Sequence, residues 1–271
     1  MKKYLSTIFL FLVLVVGLSL LLYPSFSDYW NSLHQSYAIA NYDAALENMS
    51  EEDYSHLFAV AEDYNKRIKQ IAYPLMYHAE VEGYYEALDV SGTGIIGYIN
   101  IPLIGVELPI YHGTSEGVLQ IAVGHLEGTT LPIGGPGTHA ALSAHRGLPS
   151  ARLFTDLDKL SVGDVFTVTV LDRLMTYQID QILIVLPNEV DALGVIEGED
   201  HVTLVTCTPY GINSHRMLVR GTRIENAEVE KVVRITADAI QIEPIVIAPF
   251  VAAPLLFMLL LALMWPKPKK K

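Results

Sequence analysis

The chain has 271 residues, 51% of them hydrophobic and 18% charged, with a formal charge of −12 and a single cysteine. That length holds one or two domains, and one thiol excludes a scaffold of intrachain disulfides. The apolar share excludes a mainly disordered chain, and the acidic balance argues against a surface for phosphate backbones, so no nucleic-acid partner is expected.

The charge is unevenly placed. Every Asp and Glu lies between Asp28 and Glu243, so residues 28–243 carry −18 and the two ends together +6. The N-terminal end holds an apolar run, Leu5 to Tyr23, broken only by Ser6, Thr7, Gly17 and Ser19. At about 1.5 Å per residue it nearly crosses a hydrocarbon core of about 30 Å. It exceeds the apolar core of about 7–15 residues in a secretory signal. An uncleaved anchor over residues 1–24 is therefore expected rather than a leader removed near Ser25 and Ser27.

From Asp28 to Ile71 the apolar spacing is helical. Trp30, Leu33, Tyr37 and Ala40 step by three, four and three; Leu57, Ala61, Tyr64, Ile68 and Ile71 step by four, three, four and three. A break is expected near Glu47–Ser50, where Ser50 and Asp53 form a capping-box pattern that opens the second helix. Residues 25–83 are expected to be a helical extracytoplasmic segment.

From about Gly94 short β-rich runs alternate with Gly and Pro turns: IIGYINIP, VELPIY, THAALSAH, VFTVTV, MTYQIDQILIVL, HVTLVTC and HRMLVRGTR. That spacing predicts a closed or nearly closed β-barrel, assigned to residues 84–225. A linker over 226–243 leads to a second apolar run, Ile245 to Trp265, which has no charged residue and ends in the tail KPKKK. Spanning helices tolerate its Pro249 and Pro254. A second transmembrane helix is expected over 244–265 and a basic cytoplasmic tail over 266–271. Basic flanks prefer the cytoplasm. The sequence thus predicts a two-pass protein of the cell membrane, in contact with the lipid bilayer, with both termini inside and the barrel outside. Two spans also account for the mean hydropathy of +0.33.

Cys207 ends the run HVTLVTC where a strand gives way to the turn-rich Thr208-Pro209-Tyr210-Gly211. A thiol at a strand's mouth is reachable by substrate, whereas a buried core cysteine is inert. Thr206 and Thr208 flank it and are the candidate substrate-binding residues. Arg216 opens the next run, and if residues 208–215 connect antiparallel strands it returns to the same end as Cys207. A guanidinium there would favour a thiolate or donate to an oxyanion. A cysteine nucleophile also needs a proton acceptor and donor, the usual work of histidine. His145 lies at the end of THAALSAH, but the residue pattern alone leaves His139, His125 and His215 open. No HExxH motif or cysteine pair supports a metal site.

The stretch TLVTCTPYGINSHRMLVRG, Thr203 to Gly221, resembles the active-site signature of sortases, cysteine transpeptidases of Gram-positive cell surfaces. GTHAALSAHRGLP (137–149) resembles their histidine segment, and VGHLEGTTLPIGG (123–135) and GYINIP (97–102) resemble other parts of that fold. With the second apolar run, the resemblance is to the pilus-assembling class C. It implies an eight-stranded β-barrel with added helices. It implies Cys207 as nucleophile, His145 as general acid/base and Arg216 as the active-site arginine. It also implies pilin or surface-protein substrates bearing an LPxTG-like sorting signal, and no metal or organic cofactor. A housekeeping-type sortase that anchors proteins to peptidoglycan is the alternative within the family; a non-catalytic membrane-tethered binding module is the alternative outside it. Class C members carry a lid with an Asp-Pro-aromatic motif, and this chain has no Asp-Pro dipeptide. Tyr73, Met76 and Tyr77, in the segment between the helices and the barrel, are the lid candidates that could occupy the cleft in its place; the favoured reading is that they simply pack on the barrel.

Overall fold

The computed structural model describes residues 2–47 and 49–226, together with Pro254 and Met258. The expected C-terminal span and basic tail otherwise lie outside the described residues, as does the linker from residue 227 onward. Between residues 2 and 226 the described residues form four α-helices and eight strands in chain order. They are α1 (Lys2–Leu46), α2 (Glu51–Ile68), α3 (Pro74–Tyr77), β1 (Ile95–Ile101), β2 (Val106–His112), α4 (Glu116–Leu119), β3 (Val123–His125), β4 (Thr138–Ser143), β5 (Val165–Val170), β6 (Arg173–Val185), β7 (Asp200–Thr208) and β8 (His215–Ile224).

The strands close into a barrel in the order β1-β2-β3-β4-β7-β8-β6-β5. The pairs β2/β3 and β4/β7 are parallel and the rest antiparallel. Strand alternation sends one set of side chains inward. Ala140, Leu142, Val202, Leu204, Met217 and Val219 join the main core inside the barrel. Their sequence neighbours Ala141, Val205 and Leu218 form a smaller apolar cluster on the outer face, under Leu75 and Leu193. The seven β-rich runs of the sequence are seven of the strands. The eighth, β3, has three residues, too few to show alternation.

Among the described residues α1 is the one helix long and apolar enough to cross a membrane. It is continuous from the apolar run into the segment that packs on the barrel, with Pro24 inside it. Its barrel-side polar groups bind the barrel's backbone. Asn31 Nδ2 donates to Ser150 O at 2.7 Å, Gln35 Nε2 donates to Ile121 O at 2.7 Å, and Asp28 Oδ1 accepts from Arg152 N at 2.8 Å. Farther along, the buried Tyr42 hydroxyl accepts from Leu171 N at 2.8 Å.

Helix α2 starts at the break the sequence foresees. Ser50 Oγ accepts from Asp53 N and Asp53 Oδ2 accepts from Ser50 N, a reciprocal cap. Its buried face of Phe58, Ala61, Tyr64 and Ile68 packs on the barrel. The buried Asn65 behaves as a strand would: its Oδ1 accepts from Leu131 N at 2.7 Å and its Nδ2 donates to Leu131 O at 3.2 Å.

Two histidines are structural. His125 is fully buried, with Nε2 2.9 Å from Thr130 O and Nδ1 2.8 Å from the Tyr84 hydroxyl. A carbonyl only accepts, which assigns the proton to Nε2 and makes Tyr84 the donor to Nδ1. His139 is bound likewise, Nδ1 to Gly194 O at 2.9 Å and Nε2 to the Thr203 hydroxyl at 2.7 Å. Burial, the largest cause, pushes both down from 6.5 to about 4.

Two outcomes follow from this packing. Asn65→Ala leaves the buried Leu131 N–H unpaired, while Leu131 O keeps its bond from Ile133 N at 2.8 Å, so it lowers the free energy of unfolding by roughly 1–3 kcal/mol; urea denaturation reads this as a lower midpoint at unchanged slope. The histidines make stability pH-dependent. With folded values depressed, the unfolded chain takes up the protons first, so stability falls as pH drops from 6.5 towards about 4. Denaturation midpoints across that window should show the decline, and H125Q and H139Q should each flatten it.

Candidate active site

Three adjacent segments of the chain build the site. Across the antiparallel β7/β8 pair Cys207 is the register partner of Arg216. On the other side the parallel β4/β7 pair runs from Thr138↔Asp200 to Ser143↔Val205, and two more residues bring His145 level with Cys207. Two hydrogen bonds carry the alignment past the end of β4: Ala144 N donates to Val205 O at 3.2 Å, and Thr206 Oγ1 donates to Ala144 O at 2.8 Å. Cys207 therefore stands between His145 and Arg216. All three lie on the barrel's outer face, in line with Val205 and Leu218.

These residues line a cleft of about 450 Å³, with Leu75, Leu126, Leu193 and Leu218 in its apolar walls. Cys207 is a free, half-buried thiol. The Nε2 atom of His145 is buried with no hydrogen-bond partner among the described residues; Glu116 Oε1, on α4, is 3.7 Å away. The Arg216 guanidinium is tethered through Nη1 to His215 O at 3.1 Å and Asn213 O at 3.3 Å, so the turn before β8 fixes its direction. Arg146 ties the ends of the strands together: its guanidinium pairs with Asp158, lies over the Tyr210 ring and reaches the Thr208 hydroxyl.

Geometry separates the histidines that the sequence leaves open. His125 and His139 are held in the barrel by the contacts described above, and neither borders this cleft. His215 pairs with Thr208, one residue out of phase with the Cys207–Arg216 pair, and its Nδ1 meets the Ser214 hydroxyl. His145 is the candidate histidine that shares the cleft with Cys207. Among the described residues no group of three or more His, Cys, Asp or Glu is placed to hold a metal ion.

Other expected residues are placed differently. Thr206 and Thr208 are buried, on the strand face opposite Cys207. Thr206 borders the cleft, but its hydroxyl is committed to Ala144 O, so it positions the histidine segment. Tyr73, Met76 and Tyr77 are exposed and none lines the cleft; Leu75 and His78 do. The cause is local. Tyr73 adopts a left-handed conformation, φ 58°, immediately before α3, and that turn directs Leu75 into the outer-face cluster. Tyr73 and Met76 border a neighbouring groove of about 860 Å³. Gly128 lets the segment approach: at φ +91° a Cβ there would lie 2.6 Å from Pro74 O. Leu75, Leu193 and Glu116 carry no sequence signal, because each sits in a segment remote from the thiol and without a motif.

Comparison with known proteins agrees with this geometry. The sortase domain model matches residues 99–224. Sortase A of Streptococcus agalactiae serotype III (strain NEM316) is 32% identical over 117 residues, 42% of this chain and 47% of that protein. The chain thus spans about half the length of that curated relative. Solved structures match more fully. Sortase C1 from Streptococcus agalactiae is 49% identical with a TM-score of 0.64, covering 70% of this chain and 98% of that one. Sortase C from Streptococcus pneumoniae is 43% identical with a TM-score of 0.63, covering 69% and 96%. A closed barrel that sets one thiol between a histidine and an arginine, in a chain that covers these solved sortases nearly end to end, makes the chain a member of the sortase family of cysteine transpeptidases.

Proposed function

We propose that the chain is a membrane-anchored class C sortase that joins pilin subunits. The observation that carries the chemistry is Cys207 standing in register between His145 and Arg216 in one cleft. Cys207 passes its proton to His145 and attacks the threonine carbonyl of an LPxTG-like sorting signal. Arg216, its guanidinium held by the turn, stabilises the oxyanion. His145 protonates the departing glycine amine, and the Thr–Gly bond breaks to leave a thioester. A lysine amine of another pilin then attacks, His145 takes its proton, and the Cys207 thiolate leaves as the isopeptide bond forms. The carbonyl is electrophilic already, so the reaction calls on no metal or organic cofactor.

The class assignment is supported by the matched structures, among them one described as a pilus-related sortase C of Group B Streptococcus, 38% identical over 98% of that chain. The matches to proteins named sortase A, at 30–32% identity, favour a second reading, anchoring of surface proteins to peptidoglycan. The acceptor amine separates the two. The topology proposed for both is two-pass: α1 enters the membrane at Leu5–Tyr23, residues 245–265 return, and both termini lie in the cytoplasm.

The test incubates the membrane-inserted chain with candidate pilins and maps new bonds by mass spectrometry. The expected product is a ladder joined through threonine and lysine. Cys207→Ala should abolish it with the fold retained, and Arg216→Ala should cut kcat/KM by about 10²–10³. A ladder formed by the Cys207 variant would overturn the mechanism. Hydrolysis of sorting peptides without any pilin ladder would favour the peptidoglycan reading.

A further inference from the structure

Beyond its apolar run, α1 does not look like a helix that faces water. From Tyr4 to Tyr42 Asp28 is the one formally charged residue. That carboxylate is occupied by Arg152 N, on the barrel side. Asp28, Asn31, Gln35 and Tyr42, at steps of three, four and seven, form the face that binds the barrel. Tyr23, Phe26, Trp30, Leu33 and Tyr37, at steps of three, four, three and four, form the opposite face, and nothing in the described chain covers it. Phe26, Trp30 and Tyr37 are 66%, 54% and 68% exposed. The exposed side of a soluble helix is ordinarily charged, whereas Trp and Tyr concentrate where lipid headgroups meet hydrocarbon.

We propose that this aromatic stripe lies in the bilayer interface, so that α1 both crosses the membrane and rests on it. The inference builds on the reading of Leu5–Tyr23 as a span. From Tyr23 to Tyr37 is about 21 Å of helix, and upright it would lift Tyr37 well clear of the headgroups. Pro24 sits where the run ends, and its missing N–H opens the hydrogen-bond ladder at that point, which lets the helix turn onto the surface. The occupant is a lipid surface rather than a protein because the stripe continues the lipid-facing run without an intervening charge. The barrel is then carried on the helix's upper face. Ser150 and Arg152, which Asn31 and Asp28 hold, belong to the loop that follows His145, so the cleft end of the barrel is kept near the membrane.

The chain holds two tryptophans, Trp30 and Trp265. The test reconstitutes the full chain carrying W265F into vesicles of phosphatidylcholine and phosphatidylglycerol, with and without dibrominated phosphatidylcholine, and reads Trp30 fluorescence. Two further reporters use the W30F/W265F background: Y37W for the far end of the stripe and L12W for the span. The expected result is bromine quenching of at least about twofold at Trp30, Y37W and L12W alike. Quenching at L12W with an unquenched, solvent-like Y37W means an upright helix and overturns the proposal while leaving the anchor reading in place. No quenching at L12W overturns the anchor reading itself, and with it the proposal. Blue-shifted Trp30 emission that bromine does not quench, and that reverts on dilution with empty lipid, means a contact between copies of the chain and overturns the proposal.

Discussion

The parallel pairing of β4 with β7 is the constraint on which the site depends. A parallel ladder fixes which residue stands beside which, and one residue of slip would turn every side chain to the other face. Here six paired residues run up to Ser143↔Val205, and the bonds from Ala144 and Thr206 extend the match by the two residues that matter. On the other side of β7 the antiparallel ladder does the same for Arg216. The thiol's neighbours are set by backbone hydrogen bonds before any side chain makes a choice.

Around that fixed line the cleft is assembled from pieces distant in sequence. Leu75 arrives from the segment before the barrel, turned inward by the left-handed Tyr73 and admitted by Gly128. Leu193 comes from the connection between β6 and β7, where His139 holds the next residue, Gly194, by its carbonyl. Glu116 comes from α4, between β2 and β3. These walls lie on the outer-face cluster of Ala141, Val205 and Leu218, which supplies an apolar floor beside the reactive groups.

Much of this was legible in the sequence. The seven β-rich runs, the helix break at Ser50 and the return of Arg216 beside Cys207 all follow from period-2 alternation, a cap motif and hairpin logic. The strand β3 was not legible from alternation, since three residues do not establish a period. Neither was the β4/β7 pairing, which joins strands separated by β5 and β6. For that reason sequence pattern alone could not choose among the histidines: all sit near β-rich runs, and what separates them is the backbone or hydroxyl partner each meets in space. The cleft wall was not legible for a related reason. Exposed aromatics such as Tyr73 and Tyr77 draw attention in a sequence, while the backbone turn that selects Leu75 is written in dihedral angles.

The reactive line lies on the outside of a closed barrel, while Val202 and Leu204 on the same strand β7 fill the inside. Stability and activity therefore draw on different side chains of one strand. Enzymes whose catalytic groups are cut into the core trade one property against the other when the core changes. In this architecture the apolar interior can drift, tighten or loosen over evolutionary time with the chemistry undisturbed, provided the ladders of β7 keep their register and Thr206 keeps its bond to Ala144.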